Sequence, residues 1–151
     1  MDTRAEGFEA APVAEDNLLL WEAKLYLEEG SLASELRIYA QLHNQDHMKL
    51  RLRFPADYPI SPPFVWLVSP RLELRTGYVS RGAICTTMLV NTGTSAGWSA
   101  TYTIDKILMV IRSNFQDADA RGKIENMSVH REYSEDEARG GYARAKSLHG
   151  W

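Results

Sequence analysis

Met48-Lys49-Leu50-Arg51-Leu52-Arg53-Phe54, running directly into Pro55-Ala56-Asp57-Tyr58-Pro59-Ile60-Ser61-Pro62-Pro63, decides how this chain reads. The first half alternates apolar and basic residues, and a period of two is the signature of a half-buried β-strand. Met48, Leu50, Leu52 and Phe54 then share a core face. Lys49, Arg51 and Arg53 read as the solvated face of an antiparallel sheet rather than as a binding patch. The second half carries prolines at 55, 59, 62 and 63. Proline fixes φ and lacks an N–H, so this segment forms neither helix nor ladder and is expected to be a rigid extended loop.

Toward the N-terminus the same period recurs. Trp21, Ala23, Leu25 and Leu27 alternate with Glu22, Lys24 and Tyr26, predicting a strand over Leu18 to Leu27. Leu36, Ile38, Ala40 and Leu42 alternate with Arg37, Tyr39 and Gln41, predicting a second strand over Glu35 to Leu42, with polar turns at Glu28 to Ser31 and His43 to His47. With Phe64 to Val68 as a fourth strand, the expectation is a four-stranded antiparallel meander. Residues 1–17 read as an N-terminal extension holding at most one short helix around Thr3 to Ala11, since Gly7 and Pro12 interrupt it.

Toward the C-terminus, Ser69 to Cys85 shows no sustained period, and Asn91 to Gly97 is a polar loop. Thr103 stands as N-cap of a helix whose stripe is Ile104, Ile107, Leu108, Ile111 and Phe115. That stripe is core spacing rather than a cofactor box. Ser134-Glu135-Asp136-Glu137 has the form of a capping box and opens a second helix, with Ala138, Tyr142, Ala145 and Leu148 on one face, that stops before Gly150 and Trp151. Strands grouped ahead of helices predict an α+β fold, with residues 18–151 as a single core domain.

Composition narrows the class. A net charge of -3 argues against nucleic acid as a partner, because phosphate binding needs a basic surface. No apolar run reaches the length of a membrane span, so no membrane partner is expected. One cysteine cannot form an internal disulfide, which with the lack of a signal peptide points to the cytoplasm and/or nucleus. No metal or other cofactor is expected.

That cysteine, Cys85, ends the turn Arg81-Gly82-Ala83-Ile84-Cys85 and is followed by Thr86 and Thr87. Packing cysteines usually sit in apolar runs, whereas a nucleophilic thiol needs a polar, accessible turn. His43, His47, His130 and His149 read as surface histidines, which weakens a Cys-His hydrolase.

The order of these motifs resembles the catalytic core of ubiquitin-conjugating enzymes. The residues that carry the likeness are Phe54-Pro55, Tyr58 to Pro63, Gly82-Ala83-Ile84-Cys85, Trp98-Ser99 and the helix from Ile104. Pro62-Pro63-Phe64-Val65, Val68-Ser69-Pro70, Gly77-Tyr78-Val79, Tyr102, Tyr133-Ser134 and His149-Gly150-Trp151 are similar to its Q-type branch. The resemblance implies transfer of ubiquitin or a ubiquitin-like protein from an activating enzyme to Cys85 as a thioester. From Cys85 it would pass to an amine or hydroxyl, usually beside a ubiquitin ligase. A thiolate is nucleophilic enough to take an acyl group from another thioester, and the product stays reactive toward amines. The alternative is an inactive module of the same fold that binds ubiquitin or scaffolds a ligase.

Three departures from the family pattern stand out. The family's His-Pro-Asn motif is absent; its asparagine falls at Gly77, beside Tyr78, so oxyanion stabilisation falls to backbone N–H groups, Tyr78 or Asn91. The loop from Cys85 to Trp98 is longer than in relatives, as a tolerated surface insertion or as a lid over the thioester. The family's long first helix is shortened or absent. Ligase contacts carried over from the resemblance are Ile60, Pro62, Ser99 and Ala100, and an acidic residue that positions an incoming lysine is carried to Asp117 or Asp119.

Overall fold

The structure is a computed structural model that describes Asp2–Thr3, residues 6–73, 79–117 and 122–151. Among the described residues seven strands form one antiparallel sheet in the order β1-β2-β3-β4-β5-β7-β6. They are β1 (Asp2–Thr3), β2 (Phe8–Ala14), β3 (Asn17–Leu25), β4 (Met48–Arg53), β5 (Phe64–Ser69), β6 (Val79–Ser80) and β7 (Ala83–Ile84). The helices are α1 (Ser31–His43), α2 (Ile104–Gln116) and α3 (Glu135–His149).

The four long strands β2 to β5 are a run of antiparallel neighbours, as the meander requires, but two of its members differ from expectation. Glu35 to Leu42 is not a strand. It lies in α1, which buries Leu32, Ala33, Leu36 and Tyr39 at helical spacing and leaves Ile38 and Leu42 exposed. Leu32, Leu36 and Tyr39 are spaced by four and three, so the helical stripe overrides the apparent alternation. Phe8 to Ala14 is not a helix but β2, paired with β3 from Phe8↔Leu25 onward. The boundary expected at residue 17 therefore falls on a hairpin inside the sheet. Pro12 is accommodated because the register shifts between Pro12 and Ala14, where a ladder tolerates a missing donor.

The period-two alternation of β4 and β5 divides the molecule into layers. Leu50, Leu52, Val65 and Leu67 enter the main core with Leu32, Leu36 and Tyr39 of α1 and Ile107, Leu108, Ile111 and Phe115 of α2. Trp66 and Val68 point the other way, into a second cluster with Ala83 and Ala138, the latter on α3. The basic row of β4 therefore faces α3 rather than open solvent. Arg53 donates two bonds to Glu135, from Nε and Nη2, at 2.8 Å each. Lys49 lies 3.9 Å from Glu132.

Local caps fix the helix ends. Thr103 Oγ1 accepts from the N–H of Lys106, and Ser134 Oγ accepts from the N–H of Glu137 at 3.1 Å. At the other end of α3, Gly150 adopts the left-handed conformation at φ 69.

Candidate active site around Cys85

Cys85 follows a two-residue hairpin. Arg81 and Gly82 join β6 to β7 with φ of 49 and 98, positive at both positions, which is the turn that matches strand twist. Gly82 is needed twice over, since a Cβ there would stand 2.7 Å from the Tyr133 ring. Tyr133 is itself anchored, its hydroxyl accepting from the N–H of Leu72 at 3.1 Å and donating to the carbonyl of Leu72 at 3.2 Å. The thiol is thus presented by a braced hairpin, with the 3-10 turn Thr87–Leu89 directly after it.

The thiol is half-buried, its Sγ 3.6 Å from the carbonyl oxygen of Ala83. Burial pushes its pKa up to about 11, and the main chain of Ser80 pulls weakly the other way. The sulfur therefore rests as a neutral thiol at physiological pH. It opens on a groove of about 720 Å³ whose far wall is α3. Val79, Ser80, Arg81, Thr86 and Thr87 line the near side. Arg144, Ala145, Leu148, His149 and Trp151 line the other.

The contact at Gly141 makes this groove possible. Ser80 Oγ donates to the Gly141 carbonyl at 2.9 Å, and a Cβ on Gly141 would overlap the carbonyl oxygen of Ser80. Helix and hairpin touch backbone to backbone there, and the last turns of α3 stand over the thiol. His149 and Trp151 stack with centroids 5.0 Å apart, and Tyr142 packs on the same small cluster as Cys85. The sequence places His149 near the tail as a surface residue; it is exposed, but on the groove. Only the family-like string His149-Gly150-Trp151 could have flagged it.

The other residues singled out from the sequence are spread over three places. Gly77, Tyr78 and Asp119 lie outside the described residues. Asn91 is exposed on the loop 91–97, which is pinched at its base by the Trp98 N–H to Val90 carbonyl bond of 2.8 Å, and none of that loop lines the groove. Asp117 is the C-cap residue of α2. Ile60 projects from the proline loop, 72% exposed. The Trp98 indole N–H donates to the carbonyl of Pro59 at 2.9 Å, tying the proline loop to the loop that carries Ser99 and Ala100.

Among the described residues no group of three His, Cys, Asp or Glu side chains is placed to hold a metal ion, and no helix is long and apolar enough to cross a membrane.

Comparison with known proteins bears on the family and the fold. The family model for ubiquitin-conjugating enzymes matches residues 1–145. Ubiquitin-conjugating enzyme E2 Q1 of Mus musculus is 31% identical over 148 residues, which cover 94% of this chain and 33% of that protein. Ubiquitin-conjugating enzyme E2 25 of Caenorhabditis elegans is 34% identical over 110 residues, covering 71% of this chain and 27% of that protein. This chain thus spans a third or less of those two relatives. Human ubiquitin-conjugating enzyme E2 G1 superposes with a TM-score of 0.56 at 23% identity, over 74% of this chain and 81% of that one, a likeness of fold.

Proposed function

The chain belongs to the ubiquitin-conjugating enzyme family, near its Q-type branch, and from that premise we propose that Cys85 carries ubiquitin or a ubiquitin-like modifier as a thioester. The observation that carries the reading is a single thiol at the end of a braced hairpin, opening on a groove of about 720 Å³.

In the first step the Cys85 sulfur attacks the modifier's carbonyl on the activating enzyme. A new C–S bond forms, the old one breaks, and the departing thiolate takes the proton that Cys85 gives up. In the second, an acceptor amine or hydroxyl attacks the same carbonyl, the C–S bond to Cys85 breaks, and the Cys85 sulfur recovers a proton from the acceptor. Oxyanion stabilisation falls to main-chain N–H groups or Tyr78 rather than to Asn91, whose loop does not line the groove; removing one such donor typically costs about 2.7–4 kcal/mol.

A thiol pushed up to about 11 is a strong nucleophile once deprotonated but a reluctant leaving group. This suits a carrier that holds its cargo until a ligase aligns the acceptor. We place ligase docking on Ile60, Pro62, Ser99 and Ala100, and the protein in a reducing compartment. The same raised pKa favours the second reading, an inactive binding module. To separate the two, the protein is incubated with activating enzyme, ATP and ubiquitin. Carriage gives a thiol-reducible adduct that Cys85→Ala abolishes and Cys85→Ser converts to a thiol-resistant ester; a module binds ubiquitin with no adduct in any form.

A further inference from the structure

Beyond the thiol, the groove has a charge of its own. Arg81, on the tip of the β6–β7 hairpin, and Arg144, on the penultimate turn of α3, line it from opposite sides, and both are exposed. Among the described residues neither guanidinium has an ion-pair partner, and no Asp or Glu lines the groove. The chain as a whole is at -3, so this is a local reversal of sign. The arrangement of α3 explains it. Its acidic residues stand at its N-terminal end, where Glu135 is held by Arg53 and Arg139 and Glu137 by Arg71. Arg144 and His149 stand at its other end, over Cys85.

The helix C-terminus offers a partial negative charge that offsets about half of one cation, since the macrodipole amounts to about half a charge. Arg81 also holds a left-handed backbone that a glycine or asparagine would adopt more readily, at a cost on the order of 1 kcal/mol. Its side chain is therefore not explained by the turn. Nor is it explained by packing, since it is exposed.

We propose that Arg81 and Arg144 select the acceptor: a protein segment that carries carboxylates beside the nucleophilic amine or hydroxyl. This rests on the reading of Cys85 as the acyl carrier and adds to it the class of acceptor. The two cations straddle the path to the sulfur, so an acidic segment is drawn across the thioester while a basic one is repelled. Leu148, 76% exposed on the same wall, gives such a segment an apolar rest.

The test isolates the Cys85 thioester of the full chain and chases it with three peptides of equal length. Each has one lysine and one serine, flanked by Glu, by Gln or by Arg. Loss of thioester is followed at single turnover. We expect the order Glu, Gln, Arg, with the extremes differing by roughly tenfold, the scale of two exposed ion pairs. The spread should collapse near 1 M salt, where the screening length is about 3 Å. Arg144→Gln should narrow the spread, and Arg81→Glu with Arg144→Glu should reverse it; each ratio is internal to one variant and independent of loading yield. Equal rates for the three peptides, or a spread untouched by either variant, overturns the proposal while leaving the carrier intact. Variants slowed equally toward every peptide also overturn it, placing the arginines on the modifier instead. No thioester in the unmodified protein overturns the carrier reading itself.

Discussion

Ser80 and Gly141 hold the molecule's two working parts together: the Ser80 hydroxyl donates to the Gly141 carbonyl at 2.9 Å, and the Ser80 carbonyl sits where a side chain on Gly141 would have to go. The strand that leads to the thiol and the helix that walls its groove are in register because one residue lacks a Cβ.

Two neighbouring glycines therefore respond in opposite directions. Gly141→Ala forces α3 off the hairpin, and overpacking of that kind costs about 1–3 kcal/mol, more than alanine's gain in helix propensity. Gly140 is exposed and a Cβ there would meet nothing within 4 Å, so Gly140→Ala should stabilise by about 0.5–1 kcal/mol. Urea unfolding of the two variants measures both. Gly141→Ala should also slow charging of Cys85, and Gly140→Ala should not.

The thiol should be sluggish toward simple electrophiles. Raising its pKa from 9.0 to about 11 leaves about a hundredfold less thiolate at neutral pH. The more basic thiolate is intrinsically about tenfold more nucleophilic, so alkylation by iodoacetamide should run about an order of magnitude slower than for an unhindered cysteine. The rate should keep climbing as pH rises past 9, because half-ionisation waits until about 11. A plateau near pH 8 would show a thiolate stabilised by a neighbour.

Trp98→Phe removes the bond to the Pro59 carbonyl and should cost about 1 kcal/mol, since the carbonyl regains water at the surface. Its larger effect is on the register of the proline loop against Ser99 and Ala100. Ligase-stimulated discharge should therefore fall further than discharge without ligase. Ile60→Ala, at a position 72% exposed, should leave stability unchanged and weaken ligase binding alone. Loss of both discharge rates in parallel would place these residues in the transfer step itself rather than in docking.

Acid should loosen α3 first. Bonding to Arg53 holds the Glu135 carboxyl below its ordinary value, and bonding to Arg71 does the same for Glu137. A depressed folded-state pKa contributes stability that is present above the unfolded value of about 4.5 and fades as pH falls through the folded one. Both carboxylates are partly exposed, so the effect is modest and salt-sensitive. Denaturation midpoints should drop below about pH 4.5, and Arg53→Met with Arg71→Met should flatten that drop.

How much of this was legible in the residues follows from the range of the interactions. β4, β5 and the two capped helices after Trp98 could be read directly, because alternation at Met48 to Arg53 and the caps Thr103 and Ser134 are local signals. Glu35 to Leu42 misled because its apolar residues fit two periods at once; the helical stripe shows only when Leu32, ahead of the expected strand, is counted with Leu36 and Tyr39. Phe8 to Ala14 was hidden by its alanines, which favour helix, and by Pro12, which a strand admits only near an edge or a register shift. The turn that presents Cys85 was visible in Arg81-Gly82. The groove was not, since residues 80 and 141, or 85 and 149, meet only through packing of α3, and no local pattern encodes that.

Whether Cys85 carries an acyl group is tested most directly by intact-mass spectrometry. After incubation with activating enzyme, ATP and ubiquitin, the protein should gain the mass of one ubiquitin less one water, the gain should map to Cys85, and a reducing thiol should erase it. No gain, or a gain that survives the thiol and persists in Cys85→Ala, contradicts the carrier reading.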